Sequence, residues 1–93
     1  MIVAIIERWD IAGGYGFIWI TRDPSKGPEN VFVHCKNIIP CPARDTDIGG
    51  RTLYVSKIDW SSFPRPKVLE SILAPTREEV LRQLIPDWKE VTQ

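Results

Sequence analysis

Residues 14–20, Gly-Tyr-Gly-Phe-Ile-Trp-Ile, and residues 31–34, Val-Phe-Val-His, decide the fold of this chain. Successive side chains of a β-strand point to opposite faces of a sheet, so each run divides into two sets. One set consists of glycine and aliphatic residues, which belong in a core. The other set consists of the aromatic residues and the histidine: Tyr15, Phe17, Trp19, Phe32 and His34. The two runs therefore predict strands whose rings face solvent.

The first predicted strand, residues 2–9, ends in a charged and an aromatic residue, Arg8 and Trp9. The two glycines at residues 13–14 allow a tight hairpin, which places this strand antiparallel to the next one. An isolated exposed tryptophan needs no functional explanation, but we expect Trp9 to lie beside Tyr15 and to complete the row of rings. Rings exposed in this way stack on the flat bases of single-stranded nucleic acids.

The composition excludes several classes of function. Lys plus Arg and Asp plus Glu each number 12, so the formal net charge is zero and no overall basic field attracts a polyanion. Strong duplex binding needs many phosphate contacts and is not expected, whereas single-strand binding through stacking fits this charge. The 93 residues allow one domain. Two cysteines are too few for a secreted disulfide scaffold, and no signal-like or membrane-spanning run is present, so we expect a cytoplasmic protein without membrane association.

The second half of the predicted barrel is less regular. Two further strands are predicted at residues 51–58 and 67–73. Leu53 and Val55 face inward in the first of them, whereas the alternation of the second does not identify an inward face. Residues 36–50 contain prolines and glycines without a period, and they predict a long irregular connection.

The loop between the last two predicted strands carries two more large rings, Trp60 and Phe63. The serines and prolines around them predict a loop and do not settle what the rings do. Two interpretations stay open: the rings cap one end of the core, or they extend a binding surface.

The segment after residue 75 predicts a helix. Thr76 and Glu79 have the spacing of a capping box. An apolar stripe follows at helical spacing, formed by Val80, Leu81, Leu84, Ile85 and Trp88. Pro86 interrupts the stripe, so we expect a kink or two short helical pieces near Ile85. We favour packing of the stripe against the barrel, and the alternative is a docking face for a protein partner.

These features resemble the cold-shock domain family, through the Gly-Tyr-Gly-Phe-Ile and Val-Phe-Val-His runs on the second and third predicted strands. The resemblance covers residues 1–73. It implies an all-β fold, a five-stranded antiparallel barrel of the OB type over residues 1–75, with residues 76–93 as an appended C-terminal helical extension. Aromatic residues of such a domain stack on bases of single-stranded RNA or DNA. The nucleic-acid-binding residues expected by position are Arg8, Trp9, Tyr15, Phe17, Phe32 and His34, to which we add Trp19, Trp60 and Phe63.

Three departures from the family pattern predict weaker binding. Gly13 stands where the family has a lysine, and Cys35 stands where it has an aromatic residue. Residues 40–43, Pro-Cys-Pro-Ala, replace a loop that usually offers a further stacking phenylalanine. One cation and two stacking groups are therefore absent, and each stacked base contributes about 1–3 kcal/mol. We expect Trp19, in register with the other rings, to restore part of this loss.

The cluster of His34, Cys35 and Cys41 suggests metal binding or nucleophilic chemistry. A structural zinc site needs four ligands, and this cluster offers three. Neighbouring strand residues point to opposite faces, so we do not expect His34 and Cys35 to form a catalytic dyad. We predict a protein that is not an enzyme, has no cofactor, metal or small-molecule substrate, and acts as an RNA chaperone or a regulator of transcription or translation. The alternative is a module that keeps the fold but binds a protein, such as nucleic-acid machinery, through the aromatic face or residues 76–91.

Overall fold

The computed structural model describes residues 1–85 and residue 87. The elements of the described residues, in chain order, are the strands β1 (Ile2–Asp10), β2 (Tyr15–Ile20) and β3 (Glu29–His34), a short 3-10 turn (Cys35–Asn37), the strands β4 (Ile38–Ile39), β5 (Thr52–Asp59) and β6 (Lys67–Leu73), and the helix α1 (Arg77–Leu84). The five longer strands are the five predicted ones, and their ends lie within two residues of the predicted ends. Among the strands within residues 1–85, the two-residue strand β4 was not predicted.

The five longer strands form a closed barrel. The pairs β1–β2, β1–β5, β2–β3 and β5–β6 are antiparallel, and the barrel closes where β3 runs parallel to β6, with Phe32 opposite Lys67. β4 adds a second parallel pairing to β6. The prediction of a purely antiparallel sheet is therefore wrong. An odd number of strands cannot alternate in direction all the way around a closed barrel, so at least one neighbouring pair must be parallel. A closed five-stranded barrel of this kind is compatible with an OB-fold.

The barrel interior holds the small and aliphatic residues that the alternation predicted. The buried residues of β2, β3 and β5 are Gly16, Ile18, Ile20, Val31, Val33, Leu53 and Val55. In β6 the buried residues are Val68, Ser71 and Leu73. Two exposed residues follow Val68 where the pairing with β5 shifts register, and this irregularity is the reason that the alternation of β6 identified no inward face.

Trp9 lies in the core with 8% of its surface exposed, so its predicted place in the solvent-facing row is wrong. The cause is a β-bulge between Ile6 and Arg8. The extra residue reverses the alternation, so Ile6 and Trp9 both face inward and Arg8 turns outward. Gly16, opposite Trp9, leaves the necessary space, because a Cβ atom there would lie 2.6 Å from the Trp9 ring.

The connection between β3 and β5 is more ordered than predicted. Its first part forms the 3-10 turn and β4, and the Asn37 side chain donates a hydrogen bond to the carbonyl oxygen of Val68 at 3.0 Å. The Ser71 hydroxyl donates to the carbonyl oxygen of Asn37 at 2.8 Å, and Ile48 is buried in the core. These partners lie on a distant strand, so no local period in the sequence signals them.

Helix α1 begins as predicted, with a capping box. The Thr76 hydroxyl accepts from the Glu79 amide and the Glu79 carboxylate accepts from the Thr76 amide, both at 3.1 Å. Within Arg77–Leu84 no residue is fully buried, and Leu81 is half-buried. Packing of the apolar stripe against the barrel stays a prediction. Pro86 and Trp88, on which the predicted kink and the end of the stripe depend, lie outside the described residues. In the part of the chain that the structure describes, no helix has the length and apolar character needed to cross a membrane.

Candidate nucleic-acid interface

Three aromatic rings form a cluster on the outer surface of β2 and β3. The register of the two strands places Phe17 opposite Phe32 and Tyr15 opposite His34. The ring centroid of Phe32 lies 5.9 Å from that of Phe17 and 5.5 Å from that of Tyr15, and the Tyr15 and Phe17 centroids are 6.0 Å apart. All four side chains are half-buried. We call these four residues the aromatic face, and their predicted grouping on the outside of the barrel is confirmed.

Two guanidinium groups lie over the ring of Phe17. The Cζ atom of Arg65 is 4.9 Å from the ring centroid and that of Arg8 is 6.0 Å away. Arg8 reaches this surface because the bulge in β1 turns it outward, and Arg65, which is hydrogen-bonded to the side chain of Asn30, comes from the loop between β5 and β6. Cations held over rings in this way are attracted by the ring quadrupole and stay available to phosphate groups. Zero net charge therefore coexists with a local concentration of positive charge.

A groove of about 360 Å³ continues the aromatic face toward β6. Phe17 and Phe32 line one side of it, and Phe63, Arg65 and Lys67 contribute to the rest. Lys67 is present because β6 runs parallel to β3 at this point. The Phe63 side chain is 93% exposed, which excludes core capping for this residue and leaves the binding-surface interpretation.

Asp10 holds Tyr15 at the other end of the aromatic face. The Asp10 carboxylate raises the pKa of Tyr15, first through hydrogen bonding to the hydroxyl and then through repulsion by its negative charge. The Gly13 amide donates to Asp10 Oδ1 at 3.0 Å, and this bond, followed by the one from Tyr15, lowers the pKa of the carboxyl group. Tyr15 is therefore uncharged at neutral pH. The carboxylate makes this end of the face more negative than the end at Arg65.

His34 completes the aromatic face beside Tyr15. Its Nδ1 atom accepts a hydrogen bond from the Lys36 amide at 3.1 Å, so in the neutral ring Nε2 carries the proton and acts as the donor. The Cys35 sulfur lies 3.6 Å from the same Nδ1. The expectation that these two neighbours point apart is wrong, because β3 ends at His34 and Cys35 begins the 3-10 turn.

The three remaining predicted residues are not members of the aromatic face. Trp9 is in the core, and its edge lines a surface pocket with Arg8, Tyr15 and Phe17. Trp19 is 49% exposed and continues β2 beyond Phe17, where its partner across the strands is Asn30 rather than another ring. Trp60 is half-buried and packs against the core, so core capping is the interpretation that the structure supports for this ring. The guanidinium group of Arg22 lies 4.4 Å from its centroid.

Arg65 and Lys67 were not among the predicted site residues. Both reach the face through the closure of the barrel between β3 and β6, a contact between segments 35 residues apart in sequence at Phe32 and Lys67. The sequence holds one weak signal, a Phe-Pro-Arg-Pro run at residues 63–66 that combines an aromatic ring with a cation in a predicted loop.

The side chains of this surface are suited to stacking, charge neutralisation and hydrogen bonding. Rings can stack on bases, guanidinium and ammonium groups can contact phosphates, and His34 Nε2 can donate to a base edge. Among residues 1–85 and 87, no group of three or more His, Cys, Asp and Glu side chains is placed to hold a metal ion.

Comparison with protein-family models and with curated proteins found no match for this chain. The barrel and the composition of its aromatic face are therefore the grounds for a functional assignment.

Proposed function

We propose that this protein binds single-stranded RNA or DNA in the manner of a cold-shock domain. Bases stack on Tyr15, Phe17 and Phe32, and His34 donates a hydrogen bond to a base edge. Arg8 and Arg65 neutralise the adjacent phosphates. The protein is not an enzyme in this proposal. It keeps cytoplasmic strands unstructured, as an RNA chaperone or a regulator of transcription or translation does.

The observation that carries the proposal is the contact between three half-buried rings and two guanidinium groups on one open surface. The barrel core is filled almost entirely by aliphatic residues, so these rings are not needed to fill it. Rings left outside the core lose part of their hydrophobic stabilisation, and a stacked base restores it. The groove beside Phe63 lengthens the surface along which a strand can run.

Substitution of two rings of the face tests the proposal. We expect Phe17→Ala combined with Phe32→Ala to weaken binding of a short pyrimidine-rich oligonucleotide by about 30-fold or more, at about 1–3 kcal/mol per stacked base. Fluorescence anisotropy of a labelled oligonucleotide at low salt measures this change. The circular dichroism spectrum should stay native, because both side chains lie outside the core.

A matched control removes apolar side chains from another part of the barrel surface. Val3 and Ile72 are exposed on β1 and β6, and both pair with Tyr54 of β5, away from β2 and β3. Val3→Ala combined with Ile72→Ala should leave the oligonucleotide affinity unchanged. If the two double variants bind as tightly as the parent, the aromatic face is not the binding site.

Tryptophan fluorescence reports where the strand lies. Trp19 is exposed at the far end of β2, whereas Trp9 is shielded in the core. Quenching by a bound oligonucleotide should therefore be smaller in Trp19→Phe if the strand reaches that end of β2. Homopolymers of ribose and deoxyribose type, compared in the same titration, give the base preference and the choice between RNA and DNA.

A second candidate function is a protein-interaction module that keeps the barrel and binds a protein partner. The exposed apolar residues of α1 favour it: Val80, Leu84 and Ile85 next to the helix end are all exposed in the described structure. No oligonucleotide binding even at low salt, together with an intact fold, would support this candidate over the first.

A further inference from the structure

Both cysteines of the chain are unpaired and line one cleft. The cleft has a volume of about 460 Å³ and lies at the end of the β1–β2 hairpin, next to the aromatic face. Cys35 enters it from the 3-10 turn after β3, and Cys41 enters it two residues after β4 ends. Gly13 and Gly14 of the hairpin and Arg44 of the following loop are also in its lining.

The segment between the two cysteines is held in place at its centre. Ile38 is buried, and Asn37 is hydrogen-bonded through its side chain and its carbonyl oxygen to β6. Cys35 is fixed from the other side, because its amide donates to the carbonyl oxygen of Gly14 at 2.8 Å. The segment between Cys35 and Cys41 is therefore short and fixed in position, and it brings Cys41 to the cleft that Cys35 also lines.

The two thiols differ in exposure and in surroundings. Cys35 is half-buried, with its sulfur 3.6 Å from His34 Nδ1, whereas Cys41 is exposed to solvent. Desolvation raises the pKa of Cys41, and the neighbouring Cys35 raises it further through charge repulsion and a hydrogen bond. Both side chains line the same cleft, and Cys41 is the one open to reagents. The raised pKa of Cys41 disfavours its thiolate, so exposure and not acidity makes it the first thiol to react.

We propose that Cys35 and Cys41 form a dithiol site that a hydroperoxide converts into an intramolecular disulfide. The bond ties the loop of Cys41 to the end of β3, directly beside His34. In a reducing compartment the pair stays as two thiols, so the bond is a transient modification rather than a structural staple.

The reaction proceeds in two balanced steps. The exposed Cys41 thiolate attacks one peroxide oxygen, the O–O bond breaks, and the leaving hydroxide takes up a proton to become water, which leaves a sulfenic acid on Cys41. The Cys35 sulfur then attacks the Cys41 sulfur and loses its proton. The S–S bond forms, the S–O bond breaks, and the second hydroxide leaves as water with that proton. The peroxide is reduced and the two thiols are oxidised.

Peptide mapping of the intact chain after hydrogen peroxide treatment tests the proposal. Lys36 lies between the two cysteines and Arg44 follows the second, so trypsin places Cys35 and Cys41 in separate peptides, residues 27–36 and 37–44. We expect these peptides to be linked without reductant and separate with it, and both thiols to be lost to iodoacetamide. Over-oxidation to sulfinic acid, linkage to a second copy of the chain, or two thiols still open to alkylation would overturn the dithiol.

Single substitutions test the order of the two steps. In Cys35→Ser, the same peroxide dose should leave a sulfenic acid on Cys41 that dimedone traps, because no second thiol can resolve it. In Cys41→Ser, the half-buried Cys35 should react several-fold more slowly. Equal trapping at the two positions would contradict the assignment of Cys41 as the first thiol to react.

Discussion

At the scale of single residues, Gly16 allows a tryptophan to enter a small barrel. It lies opposite Trp9, and a Cβ atom there would collide with the indole ring and with the carbonyl oxygen of Arg8. We expect Gly16→Ala to lower the free energy of unfolding by about 1–3 kcal/mol, because over-packing a dense core forces side chains and backbone to shift. Urea denaturation measures the loss, and Gly49→Ala is the control. There the added atom would meet the movable side chain of Asp47 at 3.0 Å and the Trp9 backbone nitrogen at an ordinary contact distance of 3.9 Å. Equal stabilities would show that Trp9 does not depend on the glycine.

The pair of Asp10 and Tyr15 gives a prediction about pH at the same scale. The carboxylate raises the pKa of Tyr15, so Asp10→Asn should lower it toward the ordinary value near 10. A titration of tyrosine absorbance in a Tyr54→Phe background, which leaves Tyr15 as the titrating tyrosine, measures the shift. An unchanged titration curve would mean that the hydroxyl does not bond to Asp10 in solution.

The contributions of Asp10 and Tyr15 to folding stability depend on pH in opposite directions. The pKa of Asp10 is lowered, so its contribution is present above the unfolded pKa near 4 and is lost as the pH falls through the folded value. The pKa of Tyr15 is raised, so its contribution is present below about pH 10 and is lost as the pH rises through the folded value. The pair therefore supports the hairpin across the neutral range.

At the scale of elements, α1 has a complete capping box but no buried residue within Arg77–Leu84. We expect Thr76→Ala to reduce the helical signal of residues 77–84, because loss of an N-cap costs about 0.5–2 kcal/mol of helix stability. The unfolding midpoint of the barrel should stay the same, because the described helix residues contribute little to the core. Backbone chemical shifts measure the helical signal, and urea denaturation measures the unfolding midpoint. Thr46→Ala, a substitution in a loop, is the control. A lowered midpoint would show that the helix packs on the barrel.

Strand β1 shows which part of an element can be read from its sequence. Strict alternation correctly predicted the inward and outward residues of β2 and β3, because the period of a strand is a local property. The same rule failed for Trp9 because β1 changes partner, pairing with β5 over its first residues and with β2 over its last. The bulge sits at that change of partner, so it depends on two other strands and leaves no mark in residues 2–10.

At the scale of the whole molecule, closure of the barrel assembles the candidate site. Two cations beside the aromatic face, Arg65 and Lys67, belong to a distant segment of the sequence. The parallel contact of β3 and β6 brings them there. Local patterns predicted the rings of Tyr15, Phe17 and Phe32 but contain no information about which distant segment lies beside them. The family resemblance predicted that one cation is lost at Gly13. In the fold, Arg65 from the loop between β5 and β6 places a positive charge over Phe17.

The salt dependence of binding follows from this assembly. Arg8, Arg65 and Lys67 are the cations at the rings and in the groove beside them, so the logarithm of the association constant should fall against the logarithm of salt concentration with a slope of about −2, at about 0.7 per phosphate contact. Arg65→Ala should reduce the steepness by about 0.7, whereas Arg77→Ala, on α1 away from the face, should leave it unchanged.

Arg65→Lys separates the two roles of the guanidinium group over Phe17. Lysine keeps the charge, so the slope should remain, but it lacks the planar group that stacks on the ring, so the affinity should fall at every salt concentration. A slope that stays near −2 in Arg65→Ala would mean that Arg65 stacks without contacting phosphate, and a slope near zero in the parent would mean that the cations of this face do not bind phosphate at all.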